Sequence, residues 1–307
     1  MRLAGIDIGT LTCRLLIAEI NGEGKLETLH SDRKMLRLGE GVDRQKSLKP
    51  EAIDRVTKGV HEWQRTIKEF KVDRATAVAT SAVRDAHNRE EFLTRIKLET
   101  GMDVEVIDGE EEASRTLLGI RSGLKAGITD VLALDIGGGS TEFILSREGM
   151  NPKVTSMDMG VVRVTERFFQ HDPPSAKENE DAQQFIDDLT QRALAHLGDI
   201  QGAVFVGTAG SITTLSAMSQ ELTIYDPQRI HNSILSLAKI RKMEQDLCGR
   251  TQAQRRGLPG LEPGRAEVIV AGAMILRCIM EQMGMEECVV SEYGLREGVL
   301  LELAQRP

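Results

Sequence analysis

Two stretches of the chain share one hydrophobic pattern. LAGIDIGTLTCRLLIAEI, from Leu3 to Ile20, and VLALDIGGGSTEFILSRE, from Val131 to Glu148, each run apolar into Asp-Ile-Gly, pass through a small polar turn and resume as an alternating apolar stretch. Each predicts a hairpin. The alignment sets Asp7 against Asp135 at a spacing close to half the chain, which is the trace of a duplicated domain, and it places a boundary near residue 128.

After the first hairpin, Asn21-Gly22-Glu23-Gly24 predicts a turn into a third strand over about 25–38. Ile53, Val56, Val60, Trp63, Ile67 and Phe70 recur at three- and four-residue steps, the pattern of an amphipathic helix opening near Pro50. A strand at 76–80, a helix after Asn88, a strand at 104–107 and a helix from Glu110 complete a first half of order β-β-β-α-β-α-β-α. The second half repeats that order, with strands near Val131, Phe143 and Val154, a helix over 176–197 and a strand over 203–206. Residues 263–283 are apolar on nearly every side in their middle and predict one buried helix ended by Gly284, with further helices before the last at about 295–304. The expected fold class is α/β, with one domain over 1–128, a second over 129–294, and the terminal helix 295–307 returning to the first.

Composition narrows the function. Of 307 residues, 40% are hydrophobic and 28% charged, an ordinary globular balance, and the formal net charge of -8 argues against a general nucleic-acid binder. A polyanionic substrate would need a local cationic pocket. Cys13, Cys248, Cys278 and Cys288 have neither CxxC spacing nor histidine partners at zinc-ligand intervals, which suits reduced cytoplasmic thiols. Asp7 and Arg14 interrupt the apolar N-terminus as no signal peptide would, and the longest apolar run, 268–276, falls short of the ~20 residues of a membrane helix.

DIGGGSTE, Asp135 to Glu142, carries the most chemistry. Gly137, Gly138 and Gly139 leave backbone N–H groups open to a phosphate that meets no Cβ, with Ser140 beside them. An aspartate at the strand end would repel that phosphate, and a divalent cation resolves the conflict, so Asp135 and Glu142 form the natural magnesium pair. A bland reading, a glycine-rich hairpin with two surface acids, competes with this until the repeat at Asp7 is weighed. Neither a Rossmann fingerprint nor a Walker A sequence is present.

VGTAGSITTL, Val206 to Leu215, sets Gly207, Thr208, Gly210 and Ser211 between a strand and a helix, as an anion site or as a plain N-cap by Thr208 or Ser211. In Asp108-Gly109-Glu110-Glu111-Glu112, Asp108 and Glu111 read as a capping-box pair. Glu112 lacks that duty, so beyond complementing the helix dipole it is free to deprotonate water for in-line attack. Arg84, after a strand end, suits phosphate through its planar fork or makes a surface pair with Asp85; Arg14, Arg163, Arg265 and Arg296 are weaker candidates. His171-Asp172 lacks the partners of an HD phosphohydrolase and, before Pro173-Pro174, reads as a loop.

Together the blocks DIGTLTCRL, RLGEG, ATSAVRDA, VIDGEEEA, DIGGGSTE, GVVRVTERF, VGTAGSITTL and VSEYGLREGVL resemble, in order and over nearly the whole chain, the exopolyphosphatase and guanosine pentaphosphate phosphatase family of the actin-like ATPase superfamily. The resemblance implies two ribonuclease-H-like domains about a cleft, with Glu112 as catalytic base, Asp135 and Glu142 at magnesium (or manganese), Arg84 on phosphate, and Gly137, Gly138, Ser140, Thr208, Gly210 and Ser211 lining phosphate loops. It also implies a substrate of polyphosphate or guanosine polyphosphate. Thr10-Leu11-Thr12 stands where the family usually has Ser-Asn-Ser, which keeps the hydroxyls of Thr10 and Thr12 for phosphate but replaces an amide donor by Leu11. Without the C-terminal helical domains of longer members, long-chain processivity is expected to be weak or to need a homodimer. Two other readings remain open: an alarmone- or nucleotide-binding sensor with little turnover, and an actin-like sugar kinase, against which the EEEA helix entry speaks.

Overall fold

The computed structural model describes residues 1–22 and 24–306. Glu23, within the expected turn, and Pro307 lie outside the described residues. The chain divides into two units, residues 1–122 with 293–307, and residues 123–292.

The first unit begins with strands β1 (Arg2–Ile8), β2 (Cys13–Ile20) and β3 (Leu26–Lys34). A short helix α1 (Val42–Gln45) and the long α2 (Pro50–Glu69) lead to β4 (Arg74–Ala79). Helices α3 (Ser81–Arg84) and α4 (Arg89–Thr100), strand β5 (Val104–Val106) and helix α5 (Gly109–Gly123) follow. The sheet runs β3-β2-β1-β4-β5, antiparallel from β3 to β1 and parallel from β1 to β5. Both faces of its centre are covered, which is why β1 and β2 read as nearly continuous apolar runs. Ala4, Ile6, Ile8, Leu15 and Ile17 join Val56, Val60, Trp63, Phe92 and Ile96 on one side. On the other, Leu3, Leu16 and Ala18 meet Leu300 and Leu303 of the terminal helix.

The second unit contains β6 (Val131–Ile136), β7 (Thr141–Ser146), β8 (Lys153–Met157), α6 (Val161–Phe168), α7 (Ala176–Leu197), β9 (Val204–Thr208) and α8 (Ala209–Ser219). Next come α9 (Pro227–Ile230), β10 (Ile234–Ser236), α10 (Leu237–Cys248), α11 (Gln252–Arg255), α12 (Ile269–Met283) and β11 (Glu287–Val290); α13 (Leu295–Gln305) belongs to the first unit. The sheet runs β10-β11-β9-β6-β7-β8. Leaving out the antiparallel edge strand β10, strands β8-β7-β6-β9-β11 repeat the order and directions of β3-β2-β1-β4-β5. The expected α/β class of two ribonuclease-H-like sheets is thus the fold of the chain.

Three local expectations change. The apolar helix begins at Ile269, while Pro263–Arg265 form a separate 3-10 turn. There the Ala266 carbonyl accepts from Arg255 Nη1 at 2.9 Å, and Arg265 is packed against Gly210. Strands β10 and β11, three and four residues long, lie in a stretch read only as helices, because such short runs show no period. The third strand ends at Lys34, four residues early. Among the described residues no helix is long and apolar enough to cross a membrane.

The entry to α7 carries a pH-dependent contribution. Ser175 and Glu178 form a capping box, and Glu178 also accepts from Gln170 N at 2.7 Å and lies 2.9 Å from His171 Nδ1. The Ser175 N–H first, and then His171 and the Gln170 N–H, hold the Glu178 carboxyl down at about 2. Because the folded carboxyl is the stronger acid, this contribution is present above the ordinary value of 4.5 and is lost as pH falls towards 2. Glu178→Gln is therefore expected to lower Tm at pH 7 and to leave a shallower acid decline of Tm than the wild type shows; calorimetry across that window checks it.

Candidate active site

Each unit gathers its candidate residues at the carboxyl ends of parallel strands, where open α/β sheets bind ligands. In the first unit Ile8 of β1 pairs with Ala79 of β4, and Ala79 with Val106 of β5, so the segments at 9–12, 80–84 and 107–112 leave one edge together. In the second, Asp135 of β6 pairs with Thr208 of β9, which sets the loops at 137–140 and 208–211 side by side.

The first loop is built on its carbonyls. Thr10 O accepts from Gly39 N at 2.9 Å and Leu11 O from Arg37 N at 3.0 Å, while Thr10 Oγ1 lies 2.8 Å from Ser81 Oγ. Gly39 is required there, because a Cβ would fall 2.2 Å from Thr10 Cγ2. Thr10, Leu11 and Thr12 are all buried. Asp7, which ends β1, is buried too, and Arg14 Nη1 lies 3.4 Å from its Oδ2. Burial raises the Asp7 carboxyl against the opposing pull of Arg14.

Glu112 stands in the first turn of α5 with 7% of its surface exposed. Its N–H donates to Asp108 O at 3.0 Å. Asp108 Oδ1 accepts from Glu110 N and Glu111 N at 2.9 and 2.8 Å, and Glu111 Oε2 from Asp108 N at 3.0 Å, so those two acids do cap the helix. Arg84 Nη1 donates to Ile107 O at 3.0 Å and lies 3.4 Å from Glu112 Oε2; its Nε is 4.0 Å from Asp85.

In the second unit Asp135 and Glu142 are direct partners across the β6–β7 hairpin, so both side chains leave the same face. They are 8% and 0% exposed, and Ser156 Oγ donates to Glu142 Oε1 at 2.8 Å. Between them Gly137 N donates to Ser140 O at 3.0 Å. The carbonyls of Gly137, Gly138 and Gly139 accept from the N–H groups of Val161, Val162 and Gly160 at 3.0, 2.8 and 3.1 Å. Among the described residues nothing takes the N–H of Gly138, Gly139 or Ser140.

In the third loop Thr208 does occupy the N-cap position of α8, but its side chain makes no cap hydrogen bond, and Thr208 Oγ1 donates to Ser291 O at 3.0 Å. Gly207 is closed in by Ile212 and the sulfur of Cys288, where a Cβ would meet atoms at 2.7 and 2.8 Å. Ala209 adopts φ 71, a left-handed conformation that is uncommon for alanine and marks strain at a turn. The Arg265 guanidinium lies so close to Gly210 that a Cβ there would be 2.0 Å from Nη2. Ser211 is buried beside Gly272 of α12.

Asp7, Ser81 and Ser156 have no place in the sequence reading of the site. The Asp7/Asp135 alignment was the available signal for the first; the two serines approach from distant segments and carry no local signal. Arg14 and Arg163 turn inward onto Asp7 and Gly139, while Arg296 bonds the exposed Ser31 at the surface. Burial pushes the Cys13 thiol up, and the Cys288 thiol up to about 12, so neither is a nucleophile at neutral pH.

Exopolyphosphatase 2 of Mycobacterium tuberculosis is 36% identical over 99% of this chain and 98% of its own length. A crystal structure of the Aquifex aeolicus Ppx/GppA family member is similar at TM-score 0.83 and 35% identity, over 99% of this chain and 97% of that one. An exopolyphosphatase structure from Cytophaga hutchinsonii is similar at TM-score 0.89 and 28% identity, with 99% and 97% covered. Family match over residues 16–307, full-length relatives and a twice-repeated sheet agree, and the chain belongs to the Ppx/GppA phosphatase family.

Proposed function

We propose that the chain is a magnesium-dependent phosphoric anhydride hydrolase, releasing the terminal phosphate of inorganic polyphosphate and of guanosine pentaphosphate. The observation that carries this reading is Glu112: a buried carboxylate in the first turn of α5, outside the Asp108–Glu111 cap and 3.4 Å from the Arg84 guanidinium. The substrate class follows the relatives named exopolyphosphatase.

Asp135 and Glu142 fit a hard divalent cation. Two opposed, buried carboxylates on one sheet face repel, and oxygen donors relieve that repulsion by sharing magnesium. With two carboxylates, such a site would take water and phosphate oxygens as the remaining ligands of magnesium. When bound there, magnesium (or manganese) neutralises charge on the phosphate oxygens.

In the reaction Glu112 takes a proton from water as the water oxygen bonds to the terminal phosphorus. The bond from that phosphorus to the bridging oxygen breaks, and its electron pair stays on the shortened chain. Arg84 supplies positive charge for phosphate, and in the second unit the N–H groups of Gly138, Gly139 and Ser140 are the donors open to phosphate oxygens. Four free cysteines suit a reducing cytoplasm.

Phosphate release should vanish on chelation and return with magnesium. Asp135→Asn is expected to raise the magnesium concentration for half-maximal rate at least ~10-fold. Release that survives chelation, or an unchanged magnesium requirement in Asp135→Asn, counts against the assigned metal pair.

A further inference from the structure

The second phosphate loop is held by a residue the reaction does not touch. A trans peptide sets its carbonyl and N–H on opposite sides. Anchoring the carbonyls of Gly137, Gly138 and Gly139 on α6 therefore throws the N–H groups of Gly138, Gly139 and Ser140 to the other side. Gly160 allows this approach, since a Cβ there would stand 2.3 Å from Gly138 C and O and from Gly139 N. The Gly139 carbonyl has a second donor: Arg163 Nε at 2.9 Å, from a guanidinium 6% exposed whose Nη2 is 3.4 Å from Asp158 Oδ1.

We propose that Arg163 is a positioning residue for phosphate binding, its Nε–H fixing the Gly139–Ser140 peptide so that the loop presents its amides to the substrate. The inference rests on the reading of this loop as a phosphate site. Backbone N–H donors act on an oxyanion only when aimed in advance, and a glycine run has no side chain of its own to aim it. Arginine suits the task because its planar head can donate from Nε to the carbonyl while its other nitrogens reach elsewhere, and lysine has no such fork. A surface arginine on α6 could bind phosphate directly; one turned into the loop's back can act only through the loop.

The test reads binding apart from turnover. Imidodiphosphate, whose P–N–P bridge resists hydrolysis, is titrated by calorimetry with magnesium into wild type, R163A and R163K, and phosphate release from polyphosphate is measured on the same proteins. Losing one aimed donor set indirectly should weaken imidodiphosphate binding and lower kcat/KM roughly 10–100-fold in R163A. Added methylguanidinium should restore part of both, and R163K should not. Should R163A fail to fold, R163M, of similar length and without a donor, carries the same expectations. Wild-type affinity in R163A or R163M, or full recovery in R163K, overturns the inference. A wild type that binds imidodiphosphate through this loop but releases no phosphate would overturn the hydrolase reading instead.

Discussion

Glu112→Gln should lower kcat for terminal phosphate release roughly 10²–10⁴-fold, the range of a positioned general base. The glutamine keeps the size of the side chain in its 7%-exposed setting, and the N–H bond to Asp108 O belongs to the backbone. Arg84 keeps the Ile107 carbonyl as an acceptor after the carboxylate charge at 3.4 Å is gone. Because Arg84 keeps that acceptor and is itself 22% exposed to water, loss of the 3.4 Å pair should change Tm little. The variant should therefore fold and bind substrate while failing to turn it over. Steady-state kinetics beside a melting curve separates the two effects; a fall in Tm matching the fall in rate would mean that Glu112 is structural.

Gly298→Ala should be the most damaging small substitution for stability. Alanine in a helix interior ordinarily gains up to about 1 kcal/mol over glycine. Here α13 crosses α5 at backbone contact: a Cβ on Gly298 would lie 1.7 Å from Arg115 O, and one on Gly119 would lie 1.9 Å from Gly294 O. Neither neighbour is the end of a flexible side chain, so the helices must separate. That disturbs Leu300 and Leu303 against β1 and β2 and the Arg115 guanidinium, which lies 2.7 Å from Glu105 and 2.9 Å from Glu302. Overpacking of this kind costs about 3 kcal/mol, on the order of 10 °C in Tm. Packing outweighs propensity. Gly257→Ala, with nothing within 4 Å of its Cβ, is the control and should melt near the wild type.

The repeat was the most legible feature of the sequence. The Asp7/Asp135 alignment foretold two hairpins, and both sheets carry the same strand order around them. Long amphipathic stretches fixed α2 at Pro50 and α7 over Ala176–Leu197 because periodicity accumulates over many turns. Short β10 and β11 gave no such signal. The loop motifs were visible as glycines and hydroxyls, and they stand at strand carboxyl ends. What the local sequence could not contain was how the loops are held. The Thr10 and Leu11 carbonyls are bound by a segment some 27 residues on, and those of Gly137–Gly139 by one some 23 residues on. Spacing between distant segments is set by topology, and a single sequence read locally carries no register between them. The same limit hid what the Thr208 side chain does at its N-cap position: its hydroxyl reaches Ser291 just after β11, 83 residues away.

Phosphate release from polyphosphate of defined length, run with magnesium in heavy-oxygen water, tests the hydrolase most directly. Water attack at the terminal phosphorus predicts that each released phosphate carries one heavy oxygen from solvent and that the shortened chain carries none. Label in the shortened chain, or phosphate appearing only on an added acceptor, would contradict it.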